Sequence, residues 1–330
     1  MKPIEILKYA WRRSKKMIIT VAVIILLLVV LISYSCSRAN AQKNKNPSVA
    51  AAVNTAPQPG ASSADSSDAE LPDLAEAIAR FSQETGAVPD NPDRQAFVED
   101  FWRWIFGNAG IPDSLAQKVA ASALEGPTFV MDLLVALQQD PYTYCLVDKQ
   151  NPLPLDYEPN DLVSLTGSGS YKVSRDDLKL RKIAAQALEE MAAAAAADGI
   201  VLSAGSAYRS AAYQAQVYDR EVKSYGKETA GRESAQPGKS QHQLGLVVDF
   251  SPIDDAFAKT KASEWLLRNA SRFGWSLSFP EGMENVTGYK WESWHYRYVG
   301  RDLAAFINTY FEGTQQYALQ FIKVWQELKL

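Results

Sequence analysis

The chain has 330 residues, 47% of them hydrophobic and 22% charged, with a net charge of −4. That balance excludes bulk disorder and allows one sizeable domain with a smaller unit beside it. The two cysteines, Cys36 and Cys145, exclude a disulfide framework and any structural zinc site of the Cys-rich kinds.

Charge is unevenly placed. Lys2, Lys8, Arg12, Arg13, Lys15 and Lys16 stand against Glu5 in residues 1–36, giving that segment +5 and leaving −9 for the rest. An acidic body argues against nucleic acid as a partner. The basic segment 1–16 precedes an apolar run from Met17 to Ile32 that continues weakly to Cys36. A bilayer-spanning helix needs about 20 residues. Residues 17–36 are therefore expected to form a transmembrane signal anchor, with 1–16 cytoplasmic and the body outside the cell membrane. The competing expectation is a signal peptide cleaved after Ala41, at Ala39-Asn40-Ala41, which would release a secreted protein. Ser33, Tyr34 and Ser35 make a poor lipobox ahead of Cys36, so lipid attachment is a minor option.

Residues 37–70, rich in Ala, Ser, Asn and Pro, read as a flexible linker. From 71 to 140 the pattern is helical. Asn91-Pro92 starts a helix carrying Phe97, Phe101, Trp104 and Ile105, and Pro112 and Pro127 open two more. This is a small helical subdomain to which the pattern assigns no role.

Residues 141–313 read as an α+β domain with a small, mainly antiparallel sheet flanked by helices. A connection occupies 140–157. Ser174 with Asp177 suggests a capped helix running to Asp198-Gly199, followed by a strand at 200–204 and a helix from Ser210 to about Val222. Residues 223–241 read as a long polar loop. A strand at 246–250, a helix at 262–273 and a strand at 294–299 follow. Residues 314–330 form an amphipathic helix with Ala318, Phe321, Ile322, Trp325 and Leu328 on one face.

The chain has two histidines, His242 and His295. The first lies in Ser240-Gln-His242-Gln243-Leu-Gly245-Leu-Val-Val-Asp249, the second in Trp291-Glu292-Ser-Trp294-His295. A carboxylate in an apolar strand is costly unless paired or bound to a metal, which makes Asp249 a candidate ligand. His242 and Asp249 would face opposite sides of one continuous strand, so a bend at Gly245 is required. Glu292 and His295 converge only if a turn precedes the second strand. Two imidazoles and one carboxylate suit a borderline cation such as Zn²⁺ and leave a fourth position open, with Glu292 as the base. No HExxH helix is present. A Ser–His–Asp arrangement with Ser240 or Ser293 is the formal rival, but neither serine lies in a G-x-S-x-G elbow.

Residues 144–312 resemble the VanY-type zinc D-alanyl-D-alanine carboxypeptidases, with which the related L,D-carboxypeptidases share their metal motifs. The resemblance is carried by Ser240-x-His242-Gln243-x-Gly245-x-x-x-Asp249 and Glu292-x-Trp294-His295, by Tyr208-Arg209-Ser210 ahead of Tyr213-Gln214, and by the run Leu146 to Pro154. It implies zinc ligands at His242, Asp249 and His295, a catalytic Glu292, and substrate contacts from Arg209, Gln214 and Ser240. Arg209 would read a terminal carboxylate or steady an oxyanion. The implied activity is removal of a C-terminal D-amino acid from peptidoglycan stem peptides. The alternatives are an L,D-carboxypeptidase acting on tetrapeptides and an inactive cell-wall scaffold. Val247 stands where the family usually has Ala, so a narrower pocket or a shifted substrate preference is expected there.

Overall fold

The computed structural model describes residues 94–124 and 128–327. The expected cytoplasmic segment, anchor and linker lie outside these residues, as do the helix starts at Asn91-Pro92 and Pro127. Among the described residues no single helix is long and apolar enough to cross a membrane.

Three helices come first: α1 (Arg94–Asn108), α2 (Asp113–Leu124) and α3 (Thr128–Ala136). A single turn, α4 (Pro141–Tyr144), follows, with the Asp140 side chain accepting from the Tyr142 N–H at its start. Strands β1 (Leu162–Ser164), β2 (Tyr171–Val173) and β3 (Lys179–Arg181) precede α5 (Lys182–Ala197) and β4 (Leu202–Ser206). Next come α6 (Ala211–Tyr225), α7 (Lys227–Glu233), β5 (Val247–Phe250) and α8 (Lys261–Asn269). The chain continues through β6 (Trp275–Leu277), α9 (Glu284–Thr287) and β7 (His295–Tyr298) to α10 (Arg301–Tyr310) and α11 (Gln315–Glu327).

The main sheet has the order β2-β4-β5-β7-β6, parallel between β2 and β4 and antiparallel elsewhere. One face is apolar. Leu202, Ala204, Val248, Phe250 and Tyr296 share a core with Leu188, Met191, Ala192 and Ala195 of α5, whose alanines let helix and sheet approach closely. The opposite face carries Ser206, Asp249 and His295 in one row across three strands, because Asp249 is in register with both.

A second core joins elements far apart in sequence. Trp102 and Phe106 of α1 and Phe129 of α3 meet Phe306 of α10 and Phe321 and Trp325 of α11. The rings are in direct contact: Trp102 stacks on Trp325 with centroids 5.9 Å apart, and Phe106 lies 5.2 Å from Phe321. Trp102 and Phe106, rather than the Phe97, Phe101 and Trp104 that the spacing put on one face, are the α1 rings that pack against this chain's last described helix.

Two expectations from the sequence are corrected. The helix after Ser174 begins only at Lys182, without a side-chain cap. Ser174 instead donates its hydroxyl to the Gly205 carbonyl, and residues 179–181 pair with β1. Arg181 decides this, because its guanidinium bonds Asp140 and Asp161, each at 2.7 Å. Residues 223–241 are not one loop. Helix α6 runs on to Tyr225, Gly226 turns the chain at a φ of +80°, and α7 follows. Its hold is tertiary: Ala230 is buried and Arg232 makes a two-bond pair with Glu284. Neither signal is visible in local periodicity.

Candidate metal centre and active site

The Ser240 hydroxyl accepts from the His242 N–H and so starts a 3₁₀ turn over Gln241–Leu244. Gly245 ends the turn in the left-handed region, with a φ of +67°. That bend swings the chain into β5, leaving His242 on the turn and Asp249 on the strand. A second turn, in which the His295 N–H donates to the Glu292 carbonyl, sets Glu292 beside the start of β7.

These two turns bring four side chains together. His242 Nε2 lies 3.1 Å from Asp249 Oδ2, and His295 Nδ1 lies 3.0 Å from Asp249 Oδ1. Glu292 Oε2 is 3.3 Å from the same His295 nitrogen. One ligand atom from each of His242, Asp249 and His295 falls within 4.8 Å of the others, and all three residues are buried.

The remaining ring nitrogens are occupied. His242 Nδ1 sits 2.7 Å from the Ala207 carbonyl, and His295 Nε2 sits 3.4 Å from Gln241 Oε1. An acceptor at one ring nitrogen places the proton there and leaves the other nitrogen's lone pair for a metal. Asp249 Oδ1 is buried and faces His295 Nδ1 at 3.0 Å, a separation that a proton or a shared cation would bridge. Two neutral imidazoles and a carboxylate converging in this way fit Zn²⁺ with a coordination position to spare.

The electrostatics agree. Burial raises the Asp249 carboxyl, but His242 and His295 outweigh it and hold Asp249 well below the usual carboxylate range. Burial lowers His242. It also acts to lower His295, yet Asp249 and Glu292 prevail and push that imidazole up to about 9. A divalent cation in place of that proton would satisfy the same two carboxylates. Burial raises Glu292, against the pull of His295, which suits a group that must accept a proton near neutral pH.

Arg209 lies at the end of the β4 edge of the site, its backbone N–H donating to the His242 carbonyl. Its guanidinium bonds Gln214 Oε1 at 2.9 Å and Ser206 Oγ at 3.0 Å, and among the described residues no carboxylate hydrogen-bonds it. Gln214 in turn donates to the Ala235 carbonyl, so it orients Arg209 while tying down the segment after α7. Arg209, Gln214, Ser240, His242, Asp249, Glu292 and His295 all line one cleft of about 690 Å³.

Some neighbours escaped the sequence reading. Gln241, Ser206 and the Ala207 carbonyl position site residues, but nothing in their residue type announces it. Gln243, within the same motif, bonds the Pro154 and Tyr157 carbonyls and braces the domain entrance. The expected narrowing at Val247 does not occur. Val247 shares the sheet face of Asp249 but is wholly buried opposite Arg297, and it is not part of the cleft wall. Arg297 donates to the carbonyls of Tyr142, Thr143 and Cys145, so this deeper part of the face anchors α4.

Comparison with known proteins places this geometry. Residues 177–301 match the VanY family, described as D-alanyl-D-alanine carboxypeptidase. YodJ of Bacillus subtilis (strain 168), provisionally named a carboxypeptidase, is 37% identical over 183 residues, which are 54% of this chain and 67% of YodJ. The solved structure of the LD-carboxypeptidase LdcB shares 36% identity, covering 53% of this chain and 89% of its own, with a TM-score of 0.48. A mutant of the vancomycin-resistance D,D-pentapeptidase VanY in complex with Zn(II) shares 32%, covering 52% and 96%, with a TM-score of 0.44. By its match to the family and its identity to a relative over two-thirds of that protein's length, the chain belongs to the VanY family of D-alanyl-D-alanine carboxypeptidases.

Proposed function

We propose that this chain is a zinc-dependent carboxypeptidase that removes the C-terminal D-amino acid from peptidoglycan stem peptides, D-alanyl-D-alanine ends in particular. The observation that carries the reading is the convergence of His242 Nε2, Asp249 and His295 Nδ1 beside Glu292, with Arg209 in the same cleft. Family membership supports the substrate class.

His242, Asp249 and His295 would hold the ion. Zinc bound there would supply Lewis acidity to a water and to the scissile carbonyl. Glu292 takes the proton of the attacking water and returns it to the leaving amine; its position near His295 and its raised pKa suit both transfers. Arg209 receives the substrate's terminal carboxylate through paired, charge-assisted hydrogen bonds. Gln214 and Ser206 hold that guanidinium in place. Ser240, buried on the cleft wall, contributes a backbone-facing contact to the peptide.

The body acts outside the membrane, tethered by residues 17–36. The apolar run after a basic segment supports this placement.

Digestion of purified pentapeptide and tetrapeptide muropeptides, with and without a chelator, tests the reading. D-Alanine should leave the pentapeptide, the chelator should stop its release, and added zinc should restore it. Release from the tetrapeptide alone would instead establish an L,D-carboxypeptidase. No release from either, with no zinc bound, would establish the scaffold.

A further inference from the structure

A second cavity, of about 380 Å³, opens beside the catalytic cleft and shares Ser234, Lys239 and Tyr289 with it. Its charge opposes that of the acidic body. Lys149, Lys227, Arg232 and Lys239 line it against a single carboxylate, Glu228. Arg232 is already paired with Glu284, but Lys149, Lys227 and Lys239 have no ion pair among the described residues. Lys149 Nζ lies 4.7 Å over the Tyr289 ring, a contact that supplies no anion. The four cations outnumber the two carboxylates near them, Glu228 and the Glu284 that Arg232 and Lys149 share, and an anionic ligand relieves the repulsion that remains.

A line of ring contacts joins this cavity to the metal centre. His295 packs on Phe279 with centroids 4.7 Å apart, Phe279 on Tyr289 at 5.1 Å, and Tyr289 lies under Lys149. An extended peptide covers roughly 3.3–3.6 Å per residue, so about four residues reach from one end of this line to the other. Tyr289 is buried and its hydroxyl has no hydrogen-bond partner among the described residues.

We propose that the basic cavity is a subsite for a free carboxylate carried by the stem peptide a few residues upstream of the bond that is cut. The proposal rests on the carboxypeptidase reading and adds which peptides the enzyme prefers. Lys149 and Lys239 take the carboxylate, and Tyr289 supplies the wall between it and the scissile bond.

The test uses the full chain and two synthetic peptides ending in D-Ala-D-Ala. One carries a γ-linked glutamate with its α-carboxylate free, and the other carries the corresponding amide. The acid should be cleaved with a kcat/KM about five- to tenfold higher at low salt. That ratio should fall toward one at high salt, where exposed charges are screened. It should also collapse in the Lys149→Gln/Lys239→Gln double variant and survive in Lys149→Arg/Lys239→Arg. Equal cleavage of both peptides by the unaltered enzyme overturns the subsite and leaves the carboxypeptidase reading standing. A preference that persists in the glutamine variant assigns it elsewhere and also overturns the proposal. Cleavage of neither peptide overturns the carboxypeptidase reading, and the subsite falls with it.

Discussion

At the residue scale, Glu292 and Arg209 occupy the same cleft with different work to do. Glu292 approaches His295 but is dispensable for a three-ligand metal set. Glu292→Ala is therefore expected to keep near-stoichiometric zinc, read by elemental analysis, while hydrolysis falls by about a hundredfold or more. Normal turnover by that variant would remove Glu292 from the chemistry. Arg209 is a fork-shaped donor already gripped by Gln214 and Ser206. Lysine keeps its charge but cannot make two parallel bonds. Arg209→Lys should lower kcat/KM by about ten- to a hundredfold. A rise in KM with kcat kept marks a carboxylate reader, whereas a fall in kcat at constant KM marks an oxyanion stabiliser. The convergence of His242, Asp249, His295 and Glu292 was legible in sequence because buried polar chemistry limits residue choice. Gln241 was not, since a glutamine next to a histidine is commonplace until its acceptor is seen 3.4 Å from a different histidine.

At the scale of the element, the decisive unit is the turn between His242 and Asp249. A Cβ on Gly245 would lie 2.9 Å from Leu162 Cδ2 and 3.1 Å from Arg181 Cγ, and the backbone there has a positive φ. Gly245→Ala should cost about 2 kcal/mol or more of stability, by left-handed strain and overpacking together. It should weaken zinc binding too, because it disturbs the hinge between His242 and Asp249. Gly231→Ala is the matched control: it lies within α7, and a Cβ there meets nothing. That change should be neutral or stabilising by up to about 1 kcal/mol. Urea denaturation and zinc titration of both variants check the pair. The need for a bend at Gly245 could be read from the spacing of His242 and Asp249. The short strands could not, because three residues carry too little alternation to stand out.

At the scale of the whole molecule, the helices before the catalytic fold and those after it share one aromatic core. Phe321 has no exposed surface and touches Phe106, Phe129, Phe306 and Phe311. Phe321→Ala should lower stability by about 3–5 kcal/mol in chemical denaturation, the range for emptying a large aromatic site in a packed core. A loss below about 1 kcal/mol would mean that α11 is not integral to the folded unit. The sequence by itself determined the α+β character, the apolar faces of the longer helices and a short set of residues able to hold zinc. Those follow from periodicity and from the cost of burying charge, both of which are local. Only the tertiary structure decided that Arg181 draws 179–181 into a strand, that α1 is covered by α11, and that Lys149, Lys239 and Tyr289 meet beside the cleft. Each depends on partners distant in the chain, and no local pattern records a contact that forms only when the chain closes on itself.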